Sequence, residues 1–156
     1  MGIEIERKFL VAGDGWRALV TRSATLRQGY LASGGVATVR VRTIGDERGY
    51  LTIKADGTAL SRAEFEYEIP VAEARQLLRY CGGAQIEKVR HWLALGGGEW
   101  VVDEFRGRHE GLVLAEVELE SATATFETPA WLGQEVTGDA RYYNSRLAAQ
   151  PAGGEI

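Results

Sequence analysis

The sequence is poor in the residues that most often form disulfides and zinc sites. Its 156 residues include one cysteine, Cys81, and two histidines, His91 and His109. A single cysteine excludes an internal disulfide and a CxxC metal site, and two separated histidines are too few for a histidine-based one. Any bound metal ion is therefore expected to have mainly oxygen ligands, which favours Mg²⁺, Mn²⁺ or Ca²⁺ over Zn²⁺.

Long apolar runs and an excess of positive charge are also missing. No run approaches the roughly 18 residues that cross a bilayer, and Glu4 and Glu6 interrupt the basic-then-apolar pattern of a signal peptide. Glu6 also occupies the position where an N-myristoylation signal requires Ser or Thr. The formal charge of −4 argues against non-specific binding to nucleic acid. We expect a cytoplasmic protein with no nucleic-acid partner and no membrane partner.

Proline is scarce, with 3 residues, whereas glycine is abundant, with 20. The glycines fall between segments in which apolar and polar residues alternate, a pattern typical of strands joined by tight turns. Such turns are predicted at 33–35, 45–47, 55–57 and 96–98, and short joints make neighbouring strands antiparallel. The alternation predicts eight strands, at 3–11, 24–31, 36–44, 50–55, 61–69, 85–95, 99–105 and 112–119.

Three segments are predicted as helices, at 13–22, 71–81 and 139–149. No linker divides the chain, so we expect one domain over residues 1–149, followed by a flexible tail at 150–156. Many strands with few helices favour a mainly β fold, an eight-stranded antiparallel barrel that is closed because closure removes the sheet edges.

Six of the strands place charged residues on one face and apolar residues on the other. An ordinary barrel, with an apolar core and its charged faces in water, accounts for this alternation. The alternative is a barrel whose charged faces line a polar interior. The grouping of charges by sign within strands, and the scarcity of uncharged polar residues there, weaken the first arrangement without excluding it. The interior of the second arrangement would contain Lys8, Arg40, Arg42, Lys54, Lys88 and Arg90, together with Glu4, Glu6, Glu64, Glu66, Glu116 and Glu118.

Buried charges without partners are costly, so a charged interior requires ligands of both signs. Carboxylates two residues apart on one strand can bind a hard divalent cation, and a group of Lys and Arg side chains can bind phosphate oxygens. Together these residues indicate a site for a metal-bound polyphosphate.

The opening segment Glu4-Ile5-Glu6-Arg7-Lys8 resembles the ExExK signature of the CYTH superfamily, the triphosphate tunnel metalloenzymes. The resemblance continues in order through nearly the whole chain. It includes Arg27-Gln28-Gly29-Tyr30-Leu31, Val39-Arg40-Val41-Arg42, Leu51-Thr52-Ile53-Lys54, Arg62-Ala63-Glu64-Phe65-Glu66, Lys88-Val89-Arg90, Val102-Asp103-Glu104-Phe105, Leu114-Ala115-Glu116-Val117-Glu118-Leu119 and Tyr142-Tyr143-Asn144-Ser145-Arg146-Leu147-Ala148.

This resemblance implies an eight-stranded antiparallel tunnel with its charged residues pointing inward. Members of the family hydrolyse inorganic, thiamine or nucleoside triphosphates, remove RNA 5′ γ-phosphates, or cyclise ATP. The short chain is most similar to the bacterial stand-alone inorganic triphosphatases. It departs from the family pattern at His91, where Tyr is common, and the alternation predicts that His91 faces outward.

On this hypothesis the chain is a metal-dependent triphosphatase whose cofactor is Mg²⁺ or Mn²⁺. A water molecule attacks the terminal phosphorus in line, and no enzyme nucleophile is required. Lys8 orients that water or neutralises the leaving group, and Glu64 and Glu66 hold water or add ligands. The metal ligands are Glu4, Glu6, Glu116 and Glu118, and the phosphate oxygens are bound by Lys8, Arg40, Arg42, Lys54, Lys88 and Arg90.

Two other functions stay open from the sequence. An adenylyl cyclase of the same family would use the same metal and triphosphate contacts but needs an adenine pocket. A binding module would recognise triphosphate or polyphosphate without turnover. The roles of Asp103, Arg27, Tyr142 and Asn144 are also open. Because three short helices are too few to cover the apolar outside of a barrel, we expect a homodimer.

Overall fold

The computed structural model describes residues 2–33, 35–55 and 60–149. The predicted turns at 33–35 and 55–57 include Gly34, Asp56 and Gly57, which lie outside the described residues, as does the predicted tail at 150–156.

The described residues form one antiparallel sheet that closes into a barrel, which confirms the predicted mainly β fold. The order around the sheet is β5-β4-β3-β2-β6-β7-β8-β1, and pairing of β1 with β5 closes this ring of eight strands. A ninth strand, β9, also pairs with β1. The strands are β1 (Gly2–Val11), β2 (Val20–Ala32), β3 (Ala37–Ile44), β4 (Arg48–Ala55), β5 (Ser61–Ile69), β6 (Gln85–Leu93), β7 (Glu99–Phe105), β8 (Val113–Glu118) and β9 (Leu132–Glu135).

Strand β1 is shared along its length between two neighbours on one edge. Residues 2–5 pair with β5, whereas Phe9 and Val11 pair with β9. Its other edge pairs with β8, which places Glu6 opposite Glu118 and Lys8 opposite Glu116. The ExExK segment therefore lies where the barrel closes.

Two helices lie against the sheet, α1 (Val71–Arg79) and α2 (Asn144–Ala149). The predicted helix at 13–22 is wrong, because only Gly15–Leu19 forms a 3₁₀ turn and β2 begins at Val20. The β-branched pair Val20 and Thr21 favours the extended conformation at this point. The predicted helix at 139–149 is divided by Tyr143, whose backbone is extended.

Much of the apolar core lies on the outside of the barrel, under the segments that cover it. Trp16 and Trp131 pack with Phe9, Trp100 and Val117 from the outer faces of three strands. On another side, Ala74 and Leu78 of α1 pack against Val41 of β3. Burial of these outer faces leaves the opposite strand faces free to surround a polar interior.

Helix α2 closes one end of the barrel. Leu147 and Ala148 pack with Ile86, Phe105 and Leu114, which share strand faces with Lys88, Asp103 and Glu116 respectively. These apolar contacts separate the polar interior from solvent at that end.

Replacing Leu147 with Ala is expected to lower the free energy of unfolding by about 2–5 kcal/mol, because it leaves a cavity in the apolar end of the barrel. Leu147 is fully buried. Urea denaturation checks the value, with Leu31→Ala as a partly exposed control that should lose much less. Equal losses for the two variants would contradict the role given to α2.

Candidate active site

The interior of the barrel contains a cavity of about 510 Å³ with a charged lining. The alternation along each strand brings the charged faces of six strands to this space. Ten of the twelve charged residues expected inside line it, namely Glu4, Glu6, Arg40, Arg42, Lys54, Glu64, Glu66, Arg90, Glu116 and Glu118. Lys8 instead borders a smaller adjoining cavity with Glu6, Arg40 and Lys54, and Lys88 is fully buried beside the interior.

Strands β3 and β8 place opposite charges on facing walls of the cavity, a basic wall and an acidic wall. β3 carries Arg40 and Arg42, and β8 carries Glu116 and Glu118. These strands are four steps apart in either direction around the ring of eight, so they face each other across the cavity. Carboxylates of β1 extend the acidic wall, because β1 pairs with β8.

Carboxylates on the acidic wall repel one another. Burial raises the pKa of Glu6 to about 7, and the nearby Glu116 carboxylate contributes to this increase. Burial also raises the pKa of Glu4, assisted by the Glu64 carboxyl, although Lys54 Nζ lies 2.9 Å from Glu4 Oε2. Burial and the neighbouring glutamates also raise the pKa of Glu118. An added cation would relieve this repulsion.

Glu116 differs from its neighbours because it faces cations. Lys8 Nζ lies 3.5 Å from Glu116 Oε1, and Arg90 Nη2 lies 3.7 Å from Glu116 Oε2. Burial opposes ionisation, but Lys8 and Arg90 hold the pKa of Glu116 at about 2. The Glu116 carboxylate is therefore ionised and connects the acidic residues of the site to the basic ones.

The arginines of the basic wall are only partly satisfied by the described residues. Arg40 Nε is buried and has no hydrogen-bond partner among the described residues. Arg42 Nε donates to the neutral Gln28 Oε1 at 2.8 Å. Burial, with the nearby Arg40 and Arg90, lowers the pKa of Arg42 to about 9. An anion with several oxygens would satisfy these guanidinium groups.

A buried ion-pair network lies behind the basic residues and holds Arg90 in position. Arg90 donates to both Asp103 oxygens, at 2.8 and 2.9 Å, and Lys88 Nζ lies 2.7 Å from Asp103 Oδ2. Lys88 Nζ also donates to Asn144 Oδ1 at 3.0 Å. Although burial favours the neutral acid, Arg90 and Lys88 keep the pKa of Asp103 well below its usual range. The network thus fixes Arg90 at the cavity.

Replacing Asp103 with Asn is expected to lower the free energy of unfolding by about 3–5 kcal/mol, because it leaves Lys88 without its buried counter-charge. Chemical denaturation measures the loss. Asp46→Asn is the control, since Asp46 is exposed and pairs with Arg75 at 3.2 Å on the surface. If Asp103→Asn lost no more free energy of unfolding than Asp46→Asn, the structural role of the network would be contradicted.

Several neutral polar residues of the site were missed from the sequence. Gln28 connects Arg42 to the Tyr30 hydroxyl, and the Thr52 hydroxyl donates to Glu66 Oε2 at 2.9 Å. Both Gln28 and Thr52 are fully buried. The alternation along the strands could have identified them. Gln28 lies two residues from Tyr30 and Thr52 lies two residues from Lys54, so each shares a strand face with a residue of the interior.

The carboxylates fit an oxygen-ligated cation by donor chemistry and by their mutual repulsion. In the residues that the structure describes, no three or more His, Cys, Asp or Glu side chains are already gathered in a metal-binding arrangement. No helix in the described ranges is both long and apolar enough to span a membrane.

A closed eight-stranded antiparallel barrel with charged residues pointing inward is the architecture that the resemblance to the triphosphate tunnel enzymes implied. The chain belongs to the CYTH family, because the CYTH domain model matches residues 2–144.

Known members of the family are similar over nearly their whole length. An inorganic triphosphatase of Acetivibrio thermocellus is 49% identical over 152 residues, which cover 97% of this chain and 96% of that protein. An inorganic triphosphatase of Nitrosomonas europaea is 40% identical over 151 residues, covering 93% and 96%. A crystal structure of an inorganic triphosphatase is 36% identical with a TM-score of 0.69, covering 96% of this chain and 97% of that one.

Proposed function

We propose that this chain is a metal-dependent triphosphatase that hydrolyses inorganic triphosphate to pyrophosphate and phosphate. One observation carries the proposal: two walls of opposite charge face each other across one cavity, and each wall is electrostatically incomplete. The similarity to inorganic triphosphatases at 49% and 40% identity supports the same substrate. The cofactor we propose is Mg²⁺ or Mn²⁺.

The basic wall binds the triphosphate. Arg40 Nε is a buried donor with no partner in the described part of the chain, and Arg42 and Arg90 bring further guanidinium groups to the cavity. Planar guanidinium groups bind phosphate oxygens through paired hydrogen bonds, which orient the triphosphate as well as attract it. The proposed substrate-binding residues are Lys8, Arg40, Arg42, Lys54, Lys88 and Arg90; of these, Lys88 acts through Asp103 and Asn144 beneath the cavity.

The acidic wall would hold the divalent cation through Glu4, Glu6, Glu116 and Glu118. A cation bound there would neutralise charge that develops on the phosphate oxygens. Lys54 Nζ lies 2.9 Å from Glu4 Oε2, so the pair would have to separate if both groups took ligands.

Glu64 and Glu66 are proposed to orient the attacking water and to accept its proton. The Thr52 hydroxyl and Arg40 Nη2, at 2.9 and 3.5 Å from Glu66 Oε2, fix that carboxylate. The water oxygen forms a bond to the terminal phosphorus while the bond to the bridging oxygen breaks, and pyrophosphate leaves. Lys8, which also donates to the Tyr142 carbonyl at 3.0 Å, balances the charge of Glu116 and the leaving group.

Phosphate release from purified protein tests this function. Inorganic triphosphate, ATP and thiamine triphosphate are each incubated with Mg²⁺, with Mn²⁺ and with EDTA, and cyclic AMP is measured in the ATP samples. We expect metal-dependent release that is fastest on inorganic triphosphate, with nucleoside and thiamine triphosphates as slower substrates. Cyclic AMP formation would favour the cyclase, and triphosphate binding without release would favour the binding module. Either result would overturn the proposal.

We further propose that the protein is cytoplasmic. The partner of the site that we propose is a small polyanion, with no nucleic acid and no membrane.

A homodimer is proposed from the apolar side chains left on the surface of β1 and β5. Ile3, Phe65 and Tyr67 are exposed by 64%, 42% and 56%. A second copy of the chain would cover them. Size-exclusion chromatography with light scattering is expected to give the dimer mass, and a clean monomer would remove this proposal.

A further inference from the structure

A second group of reactive side chains lies on the outside of the barrel, away from the charged interior. Ser23 of β2, His91 of β6 and Glu104 of β7 lie on three consecutive strands. Ser23 Oγ is 2.6 Å from His91 Nδ1, and His91 Nε2 is 2.7 Å from Glu104 Oε1. A hydroxyl, an imidazole and a carboxylate are thus connected in the order used by serine hydrolases, with the two ring nitrogens exchanged.

The hydrogen bonds select one arrangement of protons for a neutral imidazole. The Glu104 carboxylate can only accept, so His91 Nε2 carries the proton and Nδ1 accepts the hydrogen bond from the Ser23 hydroxyl. Arg17 Nη2 lies 3.0 Å from Glu104 Oε2 and keeps that carboxylate ionised. In this arrangement a neutral imidazole can accept the serine proton at Nδ1.

Ser23 is more exposed than the other two side chains, as a nucleophile that must reach a substrate would be. Ser23 is exposed, whereas the His91 and Glu104 side chains are only 12% and 15% exposed. The Trp16 ring packs on the imidazole with a centroid distance of 5.0 Å. Ser23 also borders an open groove of about 790 Å³, which offers room for a small electrophile beside the hydroxyl.

We propose that Ser23 is an activated acyl acceptor, a covalent site for small carboxylic esters formed by Ser23, His91 and Glu104. Ser23 Oγ forms a bond to the ester carbonyl carbon as His91 Nδ1 takes the hydroxyl proton, and Glu104 stabilises the resulting imidazolium. The bond from the carbonyl carbon to the leaving oxygen then breaks. That oxygen takes the proton from His91 and departs as the alcohol, which leaves an acylated serine.

This site is separate from the interior, so its test does not depend on triphosphate hydrolysis. The full-length protein is treated with p-nitrophenyl acetate, p-nitrophenolate release is followed, and the acetylated residues are located by peptide mass spectrometry. Acetylation of Ser23 is expected to be about 100-fold faster than acetylation of Ser121, an exposed serine outside any strand. Equal rates at the two serines would overturn the proposal.

Three variants separate activation from mere exposure. His91→Phe keeps a ring against Trp16 but removes both nitrogens, and it should reduce Ser23 acetylation to the Ser121 rate. Glu104→Gln removes the charge and should lower the rate about tenfold or more, which keeps the test valid if His91→Phe does not fold. Ser23→Ala should abolish the release assigned to this site and leave triphosphate hydrolysis unchanged. Unchanged acetylation of Ser23 in either the His91 or the Glu104 variant would show that the hydrogen bonds are structural only.

Discussion

Replacing Glu4 and Glu6 together with Gln is expected to reduce triphosphate hydrolysis by about a thousandfold or more, because the double variant loses two oxygen ligands of the proposed cation site. The substitution keeps the size of both side chains. It also removes repulsion on the acidic wall, where burial and neighbouring glutamates raise the pKa of both carboxyls. The folded state should therefore be retained, and thermal unfolding should show no loss of stability.

The matched control is Glu73→Gln with Glu110→Gln. This pair removes the same two charges from exposed positions outside the cavity. It should keep nearly full activity at saturating Mg²⁺ or Mn²⁺. If the two double variants lost activity equally, net charge and not the acidic wall would explain the effect. If Glu4→Gln/Glu6→Gln stayed active, the proposed ligand set would be wrong.

Replacing Arg42 with Gln is expected to lower kcat/KM for triphosphate by about 100-fold or more, since a buried charge-assisted contact to phosphate is lost. Arg42 lies in the cavity among other cations, and burial with Arg40 and Arg90 lowers its pKa to about 9. Removing this charge should not destabilise the free protein. The combination of lost activity with unchanged or higher thermal stability distinguishes a ligand-binding residue from a structural one.

Two further variants complete this comparison. Arg42→Lys keeps the charge without the planar fork and should give intermediate kinetics. Arg27→Gln removes an arginine from the outside of β2, where Arg27 Nε pairs with Glu87 at 2.9 Å, and should change kcat/KM little. An Arg42→Gln variant that binds and hydrolyses triphosphate normally would refute the basic wall as the phosphate site.

The period-two pattern of the sequence was sufficient to predict the barrel and the charged strand faces. It could not decide which face points inward, because an apolar core and a polar interior produce the same alternation. The resemblance to the tunnel enzymes favoured the polar interior. In the structure, the outer faces are covered by segments such as the Trp16 turn and α1, whose packing depends on contacts distant in sequence.

The features that were missed depend on tertiary contacts. Strand β9 has only four residues and exists because its backbone pairs with β1, so its sequence carries little periodic signal. Asp103 shares a face with Val101 and Phe105, and its role became clear only from the register that places it opposite Arg90. Asn144 was also left open, and the structure places it beside Lys88 at the cavity.

A crystal structure with Mn²⁺ and a slowly hydrolysed triphosphate analogue would test the central claim most directly. The two-wall arrangement predicts anomalous density for Mn²⁺ beside Glu4, Glu6, Glu116 and Glu118, with the phosphate groups against Arg40 and Arg42 across the cavity. A triphosphate bound outside the barrel, or a metal ion with no ligand from these four glutamates, would contradict the account.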